Sequence, residues 1–392
     1  MLFRPRYSLR PFAVAALVAS TLAVLFTHAL SVVTPAQERR GGQPVRPSRR
    51  EGNKVKAQQR QQKLRRQAVA ALVEAAEAAR DFEGLFEKVA VQASAADTLW
   101  PFDAERARAI VRRAWEATLA PGAAESLADD ETTAYEYLKA AQRLVVETAA
   151  RHDARLSEEF MREFVRESSE ATEATPADGR SGARRLSAAG WQRLSIASSL
   201  LRAGDPQSAA RVAAPLVGEG ATRELLGFIL ELRAQDAGEA DALYVRLLER
   251  TRADASADAN DVLLLSTPIV SPELFVYVGS DGALSYAQSF YRSAPTDGRR
   301  AASPLPTAAR RAFFDVAASV LLRADAASAQ GKAAALYYAI RRLLPFFERE
   351  ATQHVAALNA RQAALGASVE TDIRDSLTAS VDTRTFAHRN PR

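Results

Sequence analysis

Apolar residues recur along most of the chain at intervals of three and four, which is the spacing of one face of an α-helix. One arrangement repeats: an apolar residue lies four residues before an Asp, and a small residue lies four residues after it. Most positions seven, eight, eleven and twelve residues after the Asp are apolar. The aspartates of this repeat are Asp103, Asp205, Asp236 and Asp325, with a weaker copy at Asp153.

Each aspartate predicts the start of a helix, because its carboxylate accepts hydrogen bonds from unpaired amides and favours the positive end of the helix dipole. At 204–206 the junction is sharpest, since Gly ends one helix, Asp caps the next and Pro suits its first turn. The leucines before the four strong copies are expected in the core of the preceding helix. They are Leu99, Leu201, Leu232 and Leu321.

The fold class predicted from this pattern is all-α, built from stacked antiparallel helical hairpins. The predicted pairs are 84–100 with 103–119, 131–151 with 153–168, 187–203 with 205–217, 222–234 with 236–251 and 307–324 with 325–344. A last helix over 346–377 follows, because apolar residues continue there at intervals of three and four. The helical repeat domain therefore spans 56–378, and a disordered tail is expected at 379–392.

One stretch departs from the helical pattern and predicts a small β-hairpin inserted at 274–291. Its β-branched and aromatic residues flank a Gly-Ser-Asp-Gly turn at 279–282. The aromatic side chains are candidates for an interaction surface, or they cover the core of the helical body. They are Phe275, Tyr277, Tyr286, Phe290 and Tyr291. A loop containing Pro and Gly follows at 293–306.

The segment 191–217 resembles the tetratricopeptide repeat family. The residues that carry the resemblance are Trp191, Leu194, Ala197, Gly204, Asp205, Ala209 and Ala210. The resemblance implies an irregular solenoid, since the capping aspartates are separated by 50, 52, 31 and 89 residues. The whole chain is also similar to a group of exported helical proteins of bacteria. Neither resemblance supplies catalytic residues.

Composition excludes several classes of site. The chain of 392 residues contains no Cys, which rules out disulfides, thiolate metal sites, a cysteine nucleophile and lipidation on a cysteine. Aromatic residues are only 7% of the chain, which argues against an all-β fold. The net charge of +5 hides an asymmetry: before Gln67 there are 14 Lys and Arg against 2 Glu, so 38 basic and 45 acidic residues remain after it.

The first 36 residues have the layout of a secretory signal peptide. Three arginines precede an uncharged apolar run at 12–33, and Thr34 and Ala36 supply the small residues that a signal peptidase recognises. This predicts export to the periplasm or the exterior. The alternative is an inner-membrane anchor at 12–33, which is long enough to cross a bilayer and is followed by arginines that favour the cytoplasmic side.

A basic arm follows at 39–66. Residues 37–55 are rich in Arg, Gly and Pro and predict a disordered linker, whereas 54–66 combine basic residues with good helix formers. Such an arm attaches to an anionic membrane surface, or it is only a solvated linker. No aromatic residue lies within it, so no specific nucleic-acid partner is predicted.

Candidate chemistry is sparse. Of the four histidines, His354 lies four residues after Glu350, a spacing that suits a helix-surface ion pair or two ligands of a metal, but no third ligand is evident. His152 adjoins Asp153, which helix capping explains. There is no phosphate-binding glycine loop or dinucleotide motif, so no cofactor, metal ligand, small molecule or catalytic residue is assigned.

The sequence therefore predicts a non-enzymatic, exported helical-repeat protein that binds a protein or peptide partner at the cell envelope. One alternative is an envelope-tethered module that binds anionic surfaces through its basic arm. Another is a hydrolase whose site lies between the β-hairpin and neighbouring helices.

Overall fold

The computed structural model describes residues 49–120, 123, 131–171, 183–272, 274–288, 304–324, 330–367 and 369–378. These residues are mostly helical, with one two-stranded antiparallel sheet, as the sequence predicts. The chain forms two compact units, Met1–Phe160 and Met161–Arg392. The predicted signal or anchor segment, most of the linker, the C-terminal tail and Asp325 lie outside the described residues.

The first unit is built around α2. Its helices are α1 (Arg49–Ala78), α2 (Leu85–Leu99), α3 (Ala104–Leu119), α4 (Glu131–His152) and the start of α5 (Ala154–Ala171). α2 packs against α1, α3 and α4, and α3 also packs against α4. Trp115 of α3 stacks on Phe160 at 4.8 Å between ring centroids. α1 begins at Arg49, so the structure has helix at 49–55 where a linker is predicted.

The second unit contains the remaining elements. Its helices are α6 (Ala188–Arg202), α7 (Pro206–Ala213), α8 (Arg223–Gln235), α9 (Ala237–Ala253), α10 (Ala259–Leu265), α11 (Thr267–Val270), α12 (Thr307–Arg323), α13 (Gln330–Glu350), α14 (Val355–Gly366) and α15 (371–378), and its strands are β1 (Leu274–Val278) and β2 (Leu284–Gln288). Packed pairs of consecutive helices are α6 with α7, α8 with α9 and α12 with α13. α7 also packs against α8 and α9.

The capping aspartates predicted from the sequence are confirmed wherever the structure describes them. The carboxylates of Asp103, Asp205 and Asp236 each accept a hydrogen bond from the amide three residues later, at 3.1 Å. Asp153 accepts from the amides of Arg155 and Leu156. The four leucines of the pattern, Leu99, Leu201, Leu232 and Leu321, are all buried. The hydrophobic pattern therefore places the helix starts and the core face correctly.

The single last helix predicted over 346–377 is wrong. α13 continues to Glu350, the backbone turns at Ala351, and α14 begins at Val355 and ends at Gly366. α15 follows at 371–378. α14 packs back against α12 and α13. Leu358 and Leu365 are buried on α14, so the apolar spacing persists across the break and conceals it.

The β-hairpin forms at the predicted place. Val276 pairs with Tyr286 and Val278 with Leu284, and Gly282 adopts the left-handed conformation at φ 80° that the turn requires. The side chain of Asn260 on α10 holds β1: its amide donates to the Val278 carbonyl at 2.9 Å, and its oxygen accepts from the Val278 amide at 2.8 Å. The hairpin is thus fastened to the second unit.

The tip of the hairpin lies against the start of α13. A Cβ on Gly331 would stand 2.5 Å from the Ser280 carbonyl oxygen and 2.7 Å from that of Gly279. Contacts this short do not occur between real atoms of these types. Residue 331 must therefore be Gly for the turn to reach the helix.

Candidate functional site

α1 has two halves with different surroundings. In its second half, Leu72 and Ala76 are buried. Every side chain of 56–66 is exposed. The segment 56–66, here called the basic half of α1, carries five cationic residues and no acidic one: Lys56, Arg60, Lys63, Arg65 and Arg66. A helix that is polar all round gains little from packing, so its sequence serves solubility or binding rather than the core.

The cationic side chains of the basic half differ from the paired arginines of the first unit. None of them forms an ion pair within the described parts of the chain. Elsewhere in the first unit, Arg113 and Arg80 both form ion pairs with Glu77. The hydrogen bond from Arg113, and to a smaller extent that from Arg80, holds the pKa of Glu77 below its usual value. The charge of the basic half is therefore left to act on an external anion.

A groove adjoins the basic half where α1 meets the connection between α2 and α3. Its lining residues on α1 recur at the spacing of one helical face, and Phe102 and Arg106 complete it. The full set is Gln62, Arg65, Arg66, Val69, Ala70, Phe102 and Arg106. The groove is open and has a volume of about 420 Å³. All of its charged lining residues are arginines.

One of these arginines lies over an aromatic ring. The guanidinium carbon of Arg65 lies 4.7 Å from the centre of the Phe102 ring. Arg106 is partly balanced by the helix cap, since its Nε lies 3.4 Å from Asp103 Oδ2. The start of α3 also faces this region, and its dipole adds positive potential. The groove can therefore hold an anionic group beside an apolar surface made by Val69, Ala70 and Phe102.

Leu64 is the most exposed large apolar side chain in the described residues, at 58% exposure. It lies within the basic half, between Lys63 and Arg65. A single exposed leucine among cationic residues can enter the apolar part of a membrane interface. The helices that the structure describes include none long and apolar enough to cross a membrane.

Of the aromatic residues predicted to form an interaction surface, the three that the structure describes do not share one exposed face. Phe275 is buried at 1% exposure, Tyr277 is half-buried, and Tyr286 is 38% exposed. Tyr286 lies opposite Val276, so it occupies the other face of the hairpin from Phe275 and Tyr277. Phe290 and Tyr291 lie outside the described residues. Their role in binding stays a prediction.

The two histidines that the structure describes, His152 and His354, each lie beside a carboxylate. His152 stacks on Trp100 at 4.9 Å, and its Nε2 lies 2.8 Å from Asp97 Oδ1. Burial raises the pKa of Asp97, but the hydrogen bond with His152 and the charge of Arg151 lower it by more. The pKa of Asp97 is therefore below its usual value. No cluster of three or more metal-ligating side chains occurs among the described residues.

The predicted pairing of Glu350 with His354 is wrong in its geometry. The chain turns at Ala351, so the two residues do not occupy successive turns of one helix. Glu350 accepts instead from Arg310, with Nε to Oε2 at 3.0 Å, and His354 Nε2 lies 3.3 Å from Asp315 Oδ1. Glu350 thus joins α12 to the end of α13, and His354 joins α12 to the segment that follows.

A partly buried charged cluster lies beside the hairpin anchor. Arg184 contacts Asp254 and Asp261, each at 3.1 Å. Burial, together with the Asp258 carboxylate, raises the pKa of Asp261 to about 6 despite Arg184. Hydrogen bonds from the hydroxyl and amide of Ser256 hold the pKa of Asp254 at about 2. These groups satisfy one another, which assigns the cluster to the support of α10.

No protein-family model, curated protein or solved structure matches the chain. The candidate site is therefore interpreted from its own geometry. Sequence analysis identified the charge of the basic half but missed the groove, because Phe102 and Arg106 come from a distant part of the chain. The spacing of Gln62, Arg65, Arg66, Val69 and Ala70 was the one signal present in the sequence.

Proposed function

We propose that this protein is a non-enzymatic helical module of the cell envelope that attaches to anionic membrane surfaces through the basic half of α1. The observation that carries the proposal is the exposure of five cationic side chains without an acidic partner in the described residues. Each basic residue near a charged bilayer contributes about 1 kcal/mol to binding. The apolar run at 12–33 would bring this helix close to a bilayer.

A membrane surface accounts for more of the site than a soluble partner does. Lys56, Arg60 and Lys63 recur at intervals of four and three, so they share one face of α1 and can contact a flat surface together. The exposed Leu64 supplies an apolar side chain for the interface. Stacking on nucleic acid has no platform, because the basic half contains no aromatic residue.

The test is binding of the purified full chain to vesicles of phosphatidylcholine with and without an anionic lipid. We expect binding to the anionic vesicles alone, and weakening as salt rises, because exposed charges are screened. The variant Lys56→Gln/Arg60→Gln/Lys63→Gln should bind roughly 100-fold more weakly, from about 1 kcal/mol per residue. Salt-independent binding, or equal binding to neutral vesicles, would refute the proposal.

A matched control separates position from total charge. Arg185, Arg246 and Arg311 lie in the second unit, are exposed and form no ion pair in the described residues. Their triple substitution by Gln removes the same charge. It should leave vesicle binding within about twofold if the basic half is the attachment surface.

A second candidate function is recognition of a protein partner by stacked hairpins of tetratricopeptide type. It is supported by Trp191 of α6, which is 50% exposed, and by the contacts of α7 with both helices of the next hairpin. Exposed Trp side chains are common at the centre of protein interfaces. A partner recovered from envelope extracts should be lost with Trp191→Ala and retained with Tyr286→Ala. Recovery unaffected by Trp191→Ala would oppose this assignment.

A further inference from the structure

We infer that the groove beside the basic half of α1 binds the phosphate of an anionic lipid headgroup. The inference rests on the proposed function and deepens it. It adds a site of defined chemistry to an attachment that general electrostatics would otherwise explain. The residues that make the site are Arg65, Arg66 and Arg106, with Phe102 between them.

The first argument concerns the donors of Arg65. Its guanidinium carbon lies over the Phe102 ring, 4.7 Å from the ring centre, and Arg65 forms no hydrogen bond in the described residues. A guanidinium that lies over a ring and makes no hydrogen bond keeps its N–H donors available to a ligand. A planar donor fork of this kind matches the oxygens of a phosphate. Phe102 therefore holds the Arg65 guanidinium in position before a phosphate binds.

The groove carries an excess of positive charge. Arg65 and Arg66 have no acidic partner in the described part of the chain, and the ion pair that Arg106 forms there is with Asp103. Asp103 is already engaged, because its Oδ1 accepts from the Arg106 amide as the cap of α3. The groove therefore retains net positive charge, and the N-terminal end of the sixteen-residue α3 adds to it.

The third argument identifies a lipid rather than a soluble phosphate. Beside the arginines the groove presents Val69, Ala70 and Phe102, which suit the glycerol and upper acyl carbons of a lipid. The groove is open rather than enclosed, as a headgroup still attached to a bilayer requires.

The experiment compares two kinds of anionic vesicle with equal surface charge. One contains phosphatidic acid in phosphatidylcholine, and the other contains cholesteryl hemisuccinate, whose charge is a carboxylate. The full chain should prefer the phosphatidic acid vesicles by about tenfold. Arg65→Gln/Arg66→Gln should abolish this preference. Lys56→Gln/Lys63→Gln removes the same charge from the same helix and should weaken both bindings equally, leaving the preference intact.

Phe102→Leu offers a variant without loss of charge. It retains an apolar side chain but removes the ring under Arg65, so the preference should fall by several-fold while binding to hemisuccinate vesicles is unchanged. Circular dichroism checks that each variant is folded. Equal losses on both vesicles for the Arg65 and Lys56 pairs would overturn the inference and leave the proposed function standing.

Two further outcomes are distinguishable. Binding to neither vesicle would refute the proposed function itself. Calorimetric titration with glycerol 3-phosphate tests a soluble source: binding that depends on Arg65 and Arg66, without any vesicle preference, would assign the groove to a free phosphate ester and overturn the lipid assignment. Weak glycerol 3-phosphate binding together with the vesicle preference supports it.

Discussion

The β-hairpin and the basic half of α1 both depart from the repeated helical pattern, yet the structure uses them in opposite ways. The hairpin buries Phe275, Val276 and Val278 and is fastened by Asn260. The basic half exposes every side chain from 56 to 66. Burying an aromatic side chain in the core stabilises the fold more than leaving it exposed at the surface. Clustered arginines, in contrast, cannot be buried without partners. Charge marks the candidate binding surface better than aromatic content does in this chain.

Phe275→Ala and Tyr286→Ala sharpen this comparison most strongly. Phe275 is buried, so its truncation should lower the free energy of unfolding by about 3 to 5 kcal/mol. Tyr286 on the other face is exposed, and its truncation should cost about 0.5 kcal/mol or less. Urea denaturation of both variants measures the difference. Equal effects would show that the two faces of the hairpin are not distinct.

The buried charge behind the hairpin predicts a pH dependence. Asp261 has a pKa of about 6 in the folded protein and about 3.9 when unfolded, so the folded state binds more protons between these values. The contribution of Asp261 to stability should therefore fall as pH rises from about 4 to about 6, by on the order of 2 to 3 kcal/mol.

Asp261→Asn should flatten this part of the stability profile, which denaturation at several pH values measures. Asp372→Asn changes an exposed carboxylate and should leave the profile as it is. An unaltered slope in Asp261→Asn would contradict the assignment of the dependence to this group.

Gly331→Ala tests how the hairpin tip is held. The added Cβ would collide with backbone atoms of Ser280 and Gly279, so we expect destabilisation by about 1 to 3 kcal/mol. Gly238→Ala on α9 is the matched control, because its nearest neighbour is an Asp236 side-chain oxygen at 3.4 Å. That variant should be neutral or slightly more stable, since Ala favours the helix. Thermal unfolding compares the two, and equal shifts would refute the contact.

Leu64→Ala gives the smallest expected effect and concerns the other region. Its truncation should weaken anionic vesicle binding about fivefold, which corresponds to about 1 kcal/mol. Unfolding should be unchanged, because the side chain is 58% exposed. Leu322→Ala removes another exposed leucine and should leave vesicle binding intact. Destabilisation by Leu64→Ala would mean that this residue serves packing instead.

Local signals in the sequence predicted local structure well. Asp103, Asp205 and Asp236 cap their helices because capping depends on residues three apart. The hairpin turn follows from the glycines at 279 and 282. The prediction of a single last helix was wrong because the apolar spacing continues through Ala351. Contacts of α14 with α12 and α13 determine the turn at this residue.

Tertiary contacts account for what the sequence left undetected. Asn260 hydrogen-bonds to Val278 only because α10 lies against β1 in the folded chain. The sequence around Asn260 contains no signal for a side chain that takes the place of a neighbouring strand. The groove likewise depends on Phe102 meeting Arg65 across the first unit. The charge of the basic half was evident from sequence, but its exposure as a helix beside a groove was not.

Hydrogen exchange of the full chain, with and without anionic vesicles, measures whether the basic half of α1 is the surface that meets the bilayer. The account predicts that vesicles slow exchange of the backbone amides in the basic half of α1 and at 102–106, while the hairpin at 274–288 is unaffected. Protection confined to the hairpin, or no change in the basic half under conditions where the chain is bound, would contradict it.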